Sequence, residues 1–135
     1  MNMDTKGKRI LIVDDDPDFV TATSVTLTGA GYKVESCGKA TEALKRVHEF
    51  RPDLIILDVM METGMAGFNV SYEVRKDPHF AQTPILMVTA IHQTTPLRFS
   101  PETDGEYLPV QKLLDKPVPA DILLKEVALL LEHVE

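Results

Sequence analysis

Short apolar runs alternate with longer half-apolar stretches along this chain, and the alternation predicts its elements. Ile10-Leu11-Ile12-Val13 and Leu54-Ile55-Ile56-Leu57 are continuous apolar runs too short for helices. They read as strands buried on both faces, the first over residues 8–13. PILMVT over residues 84–89 has the same character, residues 32–37 alternate well enough for a further strand, and 110–115 supplies a fifth. Between the strands, positions recur at helical spacing: Val20, Ser24, Leu27 and Gly31; Ala40, Ala43, Leu44, Val47 and Phe50; Val70 and Val74; Leu123, Val127, Leu130, Leu131 and Val134. These predict helices opening at Pro17, over 41–50, over 68–76 and from Pro119. The first helix is the least obvious. Thr21-Ala22-Thr23-Ser24-Val25-Thr26 leans toward strand by local propensity, but the stop at Gly29-Ala30-Gly31 decides for helix. Pro96, Pro101, Gly105 and Pro109 leave little room for a regular long helix in 90–109.

Five alternations of strand and helix argue for an α/β fold with a parallel sheet wrapped on both faces, because parallel strands need crossover connections. The 135 residues suffice for one domain, expected over 8–135 behind a loose leader at 1–7. A single cysteine, Cys37, rules out an internal disulfide and suits a reducing cytoplasm. No apolar run reaches membrane-spanning length, so membrane insertion is not expected. With a formal net charge of −7 and no basic stripe, no direct contact with nucleic acid is expected.

The chemistry gathers where strands end. The first apolar run stops at Asp14-Asp15-Asp16, the central one at Asp58, the fourth at Thr89, and the fifth at Lys116-Pro117. Open α/β sheets place ligands beyond the carboxyl ends of their strands. Carboxylates collected there repel one another, and a hard divalent cation such as Mg²⁺ relieves the conflict. An ionised Asp58 can then act as a nucleophile toward phosphorus, with Mg²⁺, the Lys116 ammonium and the Thr89 hydroxyl sharing the oxygens of the transferring group.

The stretches ILIVDDDPDF, PDLIILDVMM, TPILMVTA and LLDKPV, in this order, resemble the response-regulator receiver domain of two-component signalling over nearly the whole chain. The resemblance implies a flavodoxin-like (βα)5 three-layer sandwich with strand order 2-1-3-4-5. It implies Asp58 as phosphoacceptor, Asp14 and Asp15 as the acid pair of the Mg²⁺ site, and the Met60 main-chain carbonyl as a further metal ligand. Thr89 matches the switch hydroxyl, and Lys116, followed by a cis Pro117, the phosphate-contacting lysine. The implied partners are a sensor histidine kinase or phosphotransfer protein and a downstream protein reached by protein contact, with a homodimer also allowed. Such a domain works in the cytoplasm and is not a turnover enzyme, though it can promote its own phosphorylation and dephosphorylation.

The chain departs from the family pattern in three places. The loop after Asp58 reads METGMAGFN, without the usual proline and one residue longer; the segment between Thr89 and Lys116 is longer and proline-broken, so that its helix, the family's fourth, is expected irregular or shortened; and Leu113 stands where the switch aromatic is usual. Tyr107 or Phe99 is the available substitute for that aromatic.

Two other functions fit parts of the sequence. A pseudo-receiver would keep the fold as an interaction module without phosphorylation. An aspartyl-nucleophile phosphatase would use Asp14-x-Asp16, but Asp18 stands where its motif has Thr or Val. Plainer roles fall to the remaining residues: Asp16 before Pro17 suits a helix cap, Met60, Met61 and Met65 are filler, Cys37 packs at a strand end, and His48, His79, His92 and His133 lack ligand spacing and are expected to be solvated or singly bonded.

Overall fold

The computed structural model describes residues 7–58, 66–89 and 112–132, with only the backbone described at 66–68 and 89. The elements are β1 (Arg9–Val13), α1 (Pro17–Gly29), β2 (Lys33–Cys37), α2 (Ala40–Phe50), β3 (Leu54–Leu57), α3 (Ala66–Lys76), a 3-10 turn (Pro78–Phe80), β4 (Ile85–Thr89), β5 (Lys112–Asp115) and a C-terminal helix (Ala120–Glu132). The strands form one parallel sheet in the order β2-β1-β3-β4-β5. This is the flavodoxin-like α/β architecture, with helices on both faces. Each expected element is present within the described residues, its ends there no more than two residues from those expected; the 3-10 turn is an addition to them. The expected helix of 90–109, with Tyr107 and Phe99, lies outside the described residues.

The period-2 geometry of strands divides the core. Leu11, Val13, Ile55, Leu57, Ile85 and Met87 point to one side of the sheet, where Ala43 and Val47 of α2 and Val70 and Val74 of α3 cover them. Ile10, Ile12, Leu54, Ile56, Leu86 and Val88 point to the other, beneath Leu27 of α1 and Leu123, Val127 and Leu131 of the C-terminal helix. Both faces of β1 and β3 are therefore apolar, which is why their sequences run without alternation. β2 lies at one edge and is mostly exposed.

Helix α1 forms despite its β-branched interior because its ends are well defined. The Asp16 side chain accepts from the N–H groups of Asp18 (3.1 Å) and Phe19 (3.4 Å), and Pro17 occupies the first turn. At the other end Gly31, with φ +101°, turns the chain out, while Gly31 N–H donates to Thr28 O and Tyr32 N–H to Leu27 O. One detail of the expected helix face needs correction. Thr23, not Ser24, is the buried polar position of this helix, and Val25 faces outward at 70% exposure.

His48 is solvated, as expected of the histidines, but it is also bonded through both ring nitrogens. Nδ1 lies 2.8 Å from Leu44 O and Nε2 2.7 Å from Asp77 Oδ2, so this side chain ties the end of α2 to the turn after α3. Asp77 also caps the 3-10 turn by accepting from His79 N–H at 2.9 Å. The solvated or singly bonded state expected of the histidines holds for His79 too, whose largely exposed ring meets Asp77 Oδ1 at 3.1 Å.

Candidate functional site

The hydrogen-bond ladder of the central strands extends one residue past their ends. Asp14 N–H donates to Cys37 O and Asp58 N–H to Val13 O, both at 3.0 Å. The two aspartates therefore leave neighbouring strands at one level. Asp14 is 2% and Asp58 6% exposed, whereas Asp15 faces solvent. One carboxylate oxygen from each of Asp14, Asp15 and Asp58 can be chosen so that all lie within 4.8 Å of one another.

Lys116 enters from the end of β5, just before a cis bond to Pro117. Its Nζ lies 2.9 Å from Asp14 Oδ2, 3.5 Å from Asp58 Oδ2 and 4.0 Å from Asp16 Oδ2. The Phe19 ring centroid is 4.4 Å from the same nitrogen. Burial pushes the Asp14 carboxyl up to about 6, against the pull of the Lys116 ammonium and of Asp16 N–H at 2.9 Å, with the Asp58 charge adding to the rise. For Lys116, burial opposes the charge, but Asp14, Asp58 and Asp16 together outweigh it and hold the ammonium above its ordinary range. Desolvation thus dominates at Asp14 and the acidic neighbours dominate at Lys116.

The acids fit a hard divalent cation. Asp14 Oδ2 is buried and faces the Lys116 ammonium at 2.9 Å, a charge-assisted contact that leaves carboxylate lone pairs over for a further cation. An inward carboxylate oxygen in that condition, beside two more carboxylates, is an oxygen donor set of the kind Mg²⁺ takes.

Of the residues singled out in the sequence, Asp14, Asp15, Asp58 and Lys116 are brought together. Thr89 ends β4 at the same rim, in register with Asp115; its side chain, and Met60 altogether, lie outside what is described. Leu113 pairs with Met87 and packs as a half-buried core residue. The Cys37 thiol is buried and donates to Lys39 O at 3.1 Å. Phe19 is a member of the site that sequence reasoning missed. Its signal was positional: it stands three residues after the Asp16 cap, in the first turn of the helix that starts at this rim. Beside it an open groove of ≈ 580 Å³ runs between α1 and the C-terminal helix, with Lys116 and Asp16 at one end.

Comparison with known proteins bears on the family and the fold. The sequence model of the response regulator receiver domain matches residues 10–128. The chain is 42% identical over 88 residues to the DNA-binding response regulator MtrA of Mycolicibacterium smegmatis, covering 65% of this chain and 37% of that one. It is 32% identical over 127 residues to the DNA-binding dual master transcriptional regulator RpaA of Synechocystis sp., covering 94% of this chain and 50% of that one. The chain therefore spans half or less of these relatives. Among solved structures, the chemotaxis response regulator CheY4 of Vibrio cholerae superposes with a TM-score of 0.78 at 33% identity, over 93% of this chain and 99% of the other. A CheY-like receiver domain protein from Methanospirillum hungatei gives 0.78 at 26% identity, over 94% and 95%.

Proposed function

The chain belongs to the response regulator receiver domain family, and from that premise we propose that Asp58 accepts a phosphoryl group in a Mg²⁺-dependent two-component relay. The observation that carries this reading is the meeting of Asp14, Asp15, Asp58 and Lys116 at one rim of the sheet. The donor is a phosphohistidine on a sensor kinase or phosphotransfer protein. An Asp58 carboxylate oxygen attacks its phosphorus, the P–O bond forms as the P–N bond breaks, and the departing imidazole takes up a proton. Lys116, within 3.5 Å of the Asp58 carboxylate, offers its ammonium to an oxygen of the transferring group. Asp14, Asp15 and Asp58 would hold Mg²⁺, with the Met60 main-chain carbonyl as a further ligand. When bound, Mg²⁺ neutralises the clustered acids and supplies positive charge to the phosphoryl oxygens. Thr89 is assigned the third phosphoryl oxygen and the coupling of phosphorylation to the surface beyond β4.

Output goes to a downstream protein by contact, with a homodimer as one form of it, and the relay operates in the cytoplasm. No helix among the described residues is long and apolar enough to cross a membrane. The DNA binding named for MtrA and RpaA belongs to proteins at least twice the matched length and is not carried over. Against the phosphatase alternative stands Asp18, where its motif has Thr or Val; sustained turnover of a phosphate ester, lost in Asp14→Asn but kept in Asp58→Asn, would favour it.

The test is intact-mass measurement after incubation with a small-molecule phosphodonor and Mg²⁺. The expected result is one phosphate adduct on the wild type and none on Asp58→Asn. An adduct that survives this substitution, or a wild type that takes up no phosphate, rejects the reading; the second outcome, with partner binding indifferent to Mg²⁺, leaves the pseudo-receiver.

A further inference from the structure

Lysine carries its charge on a flexible four-carbon stem, so the resting place of the ammonium is decided by what surrounds it. At Lys116 two buried carboxylates pull from inside the site, Asp14 at 2.9 Å and Asp58 at 3.5 Å. The face of Phe19 lies over the same nitrogen, 4.4 Å from centroid to Nζ, within the range where an aromatic quadrupole attracts a cation. The ring is itself registered to the site. Phe19 N–H donates to Asp16 Oδ1 at 3.4 Å, and Asp16 N–H donates to Asp14 Oδ1 at 2.9 Å, so the first turn of α1 is tied to the aspartate that holds Lys116.

Resting on the receiver reading above, we infer that Phe19 is a positioning residue for phosphoryl transfer, its ring face keeping the Lys116 ammonium at the mouth of the site. The two carboxylates cannot do this alone. Their charges change through the reaction, Asp58 becoming an acyl phosphate and Asp14 engaging a metal, while the ring's quadrupole stays the same. An anchor of constant strength lets the amine move from carboxylate to phosphoryl oxygen without leaving the site. The plainer role, an apolar residue packed against the core beneath α1, requires only size and oiliness. Leucine would satisfy it as well as phenylalanine.

That difference sets the experiment. Phe19→Leu keeps an apolar side chain and removes the π face; Phe19→Tyr keeps both. In the wild type and Phe19→Tyr, NMR of the Lys116 ε-methylene should show an upfield ring-current shift that Phe19→Leu loses, with no phosphodonor present. Phosphorylation by the small-molecule donor should fall about threefold to tenfold in Phe19→Leu, return in Phe19→Tyr, and show no further fall when Phe19→Leu is added to Lys116→Ala. An unshifted ε-methylene in the wild type overturns the inference. So does a wild-type rate in Phe19→Leu, or an equal loss from Phe19→Leu in the Lys116→Ala background. A wild type that takes up no phosphate at all overturns the receiver reading and with it the role of Phe19 in transfer; a normally phosphorylated wild type with any of the preceding results overturns the Phe19 inference alone.

Discussion

At the carboxyl rim of the sheet Lys116 stands 2.9 Å from Asp14; where α2 and α3 end, His48 stands 2.7 Å from Asp77. Both are a basic side chain against a carboxylate, yet the carboxylates respond in opposite directions. Asp14, buried and beside Asp58, is pushed up to about 6. Asp77 is drawn down to about 2, chiefly by His79 N–H and then by His48. At Asp77 the hydrogen bonds meet little desolvation, and the pair is a fastening. At Asp14 desolvation exceeds everything its neighbours return, and the charge is kept at a cost to the fold. A carboxylate held ionised in such a place is available to a ligand, whereas one already satisfied is not.

The most demanding way to break this comparison is to remove one charge from each place and follow phosphate uptake. Lys116→Ala should slow uptake from the small-molecule donor by roughly a hundredfold or more, since it deletes charge aimed at the transferring oxygens. Asp77→Asn should leave the rate within about twofold, because nothing at that end faces the reacting atoms. Comparable losses in the two variants would mean that the carboxyl rim has no special claim to the chemistry.

Stability should show the opposite signs. With its folded pKa raised from 3.8 to about 6, Asp14 contributes stability that is complete below pH 3.8 and lost as pH rises through about 6. Asp14→Asn keeps the acceptor for Asp16 N–H and removes that loss. It should stabilise the metal-free protein at pH 7 by about 1 to 3 kcal/mol, two pKa units being about 2.7 kcal/mol. Asp77 works the other way: its contribution is present above pH 3.8 and lost as pH falls toward about 2. Urea denaturation of both variants across pH 3 to 8 checks the pair. An Asp14→Asn protein less stable than wild type at pH 7 would show that Lys116 already compensates the buried charge in full.

Mg²⁺ sharpens the same contrast by a smaller amount. At a tenfold excess over its dissociation constant it should raise wild-type stability by about 1.4 kcal/mol, and leave the gain intact in Asp77→Asn but largely absent in Asp14→Asn. Equal gains in the two variants, measured by the same denaturation, would move the cation away from the acid cluster.

Much of the first site was legible in the sequence because it is built from strand ends. Apolar runs that stop at an acid or a lysine say both where the strand lies and where its last side chain emerges, so Asp14, Asp58 and Lys116 could be grouped without coordinates. The parallel α/β class followed from the same alternation, whereas the strand order came from the resemblance. Phe19 was not legible, because an apolar residue in the first turn of a helix looks the same whether it faces core or cation. The clasp at the other end was hidden for a different reason. His48 and Asp77 are 29 residues apart on separate elements, and no local spacing signals that the end of one helix will meet the turn after the next. Thr23 in place of Ser24 illustrates a third limit: on a helix with several small polar residues, a shift of one position changes which of them is buried.

The clasp between His48 and Asp77 should give the smallest effect. Leu44 O can only accept, and an ionised Asp77 can only accept, so a ring placed 2.8 and 2.7 Å from them satisfies both by carrying two protons. His48 should therefore bind its second proton more tightly in the folded state, and its pKa lies above the ordinary 6.5, with Asp77 the first cause, Leu44 O the second, and burial and then Arg51 opposing. The contribution is fully present below pH 6.5 and is lost as pH rises through the raised value; the low Asp77 pKa keeps that carboxylate ionised throughout the window. His48→Gln should consequently lower Tm at pH 5.5 by about one to two degrees and by less at pH 9, the small size reflecting the exposure of the pair. Site-resolved NMR titration of the ring separates His48 from His79, Glu73 and Lys76, which stand around the same shallow surface. A His48 midpoint at or below 6.5, or a Tm deficit in His48→Gln that does not change with pH, would reduce the contact to ordinary packing of the ring against Phe80, whose ring it meets edge-on at 5.5 Å.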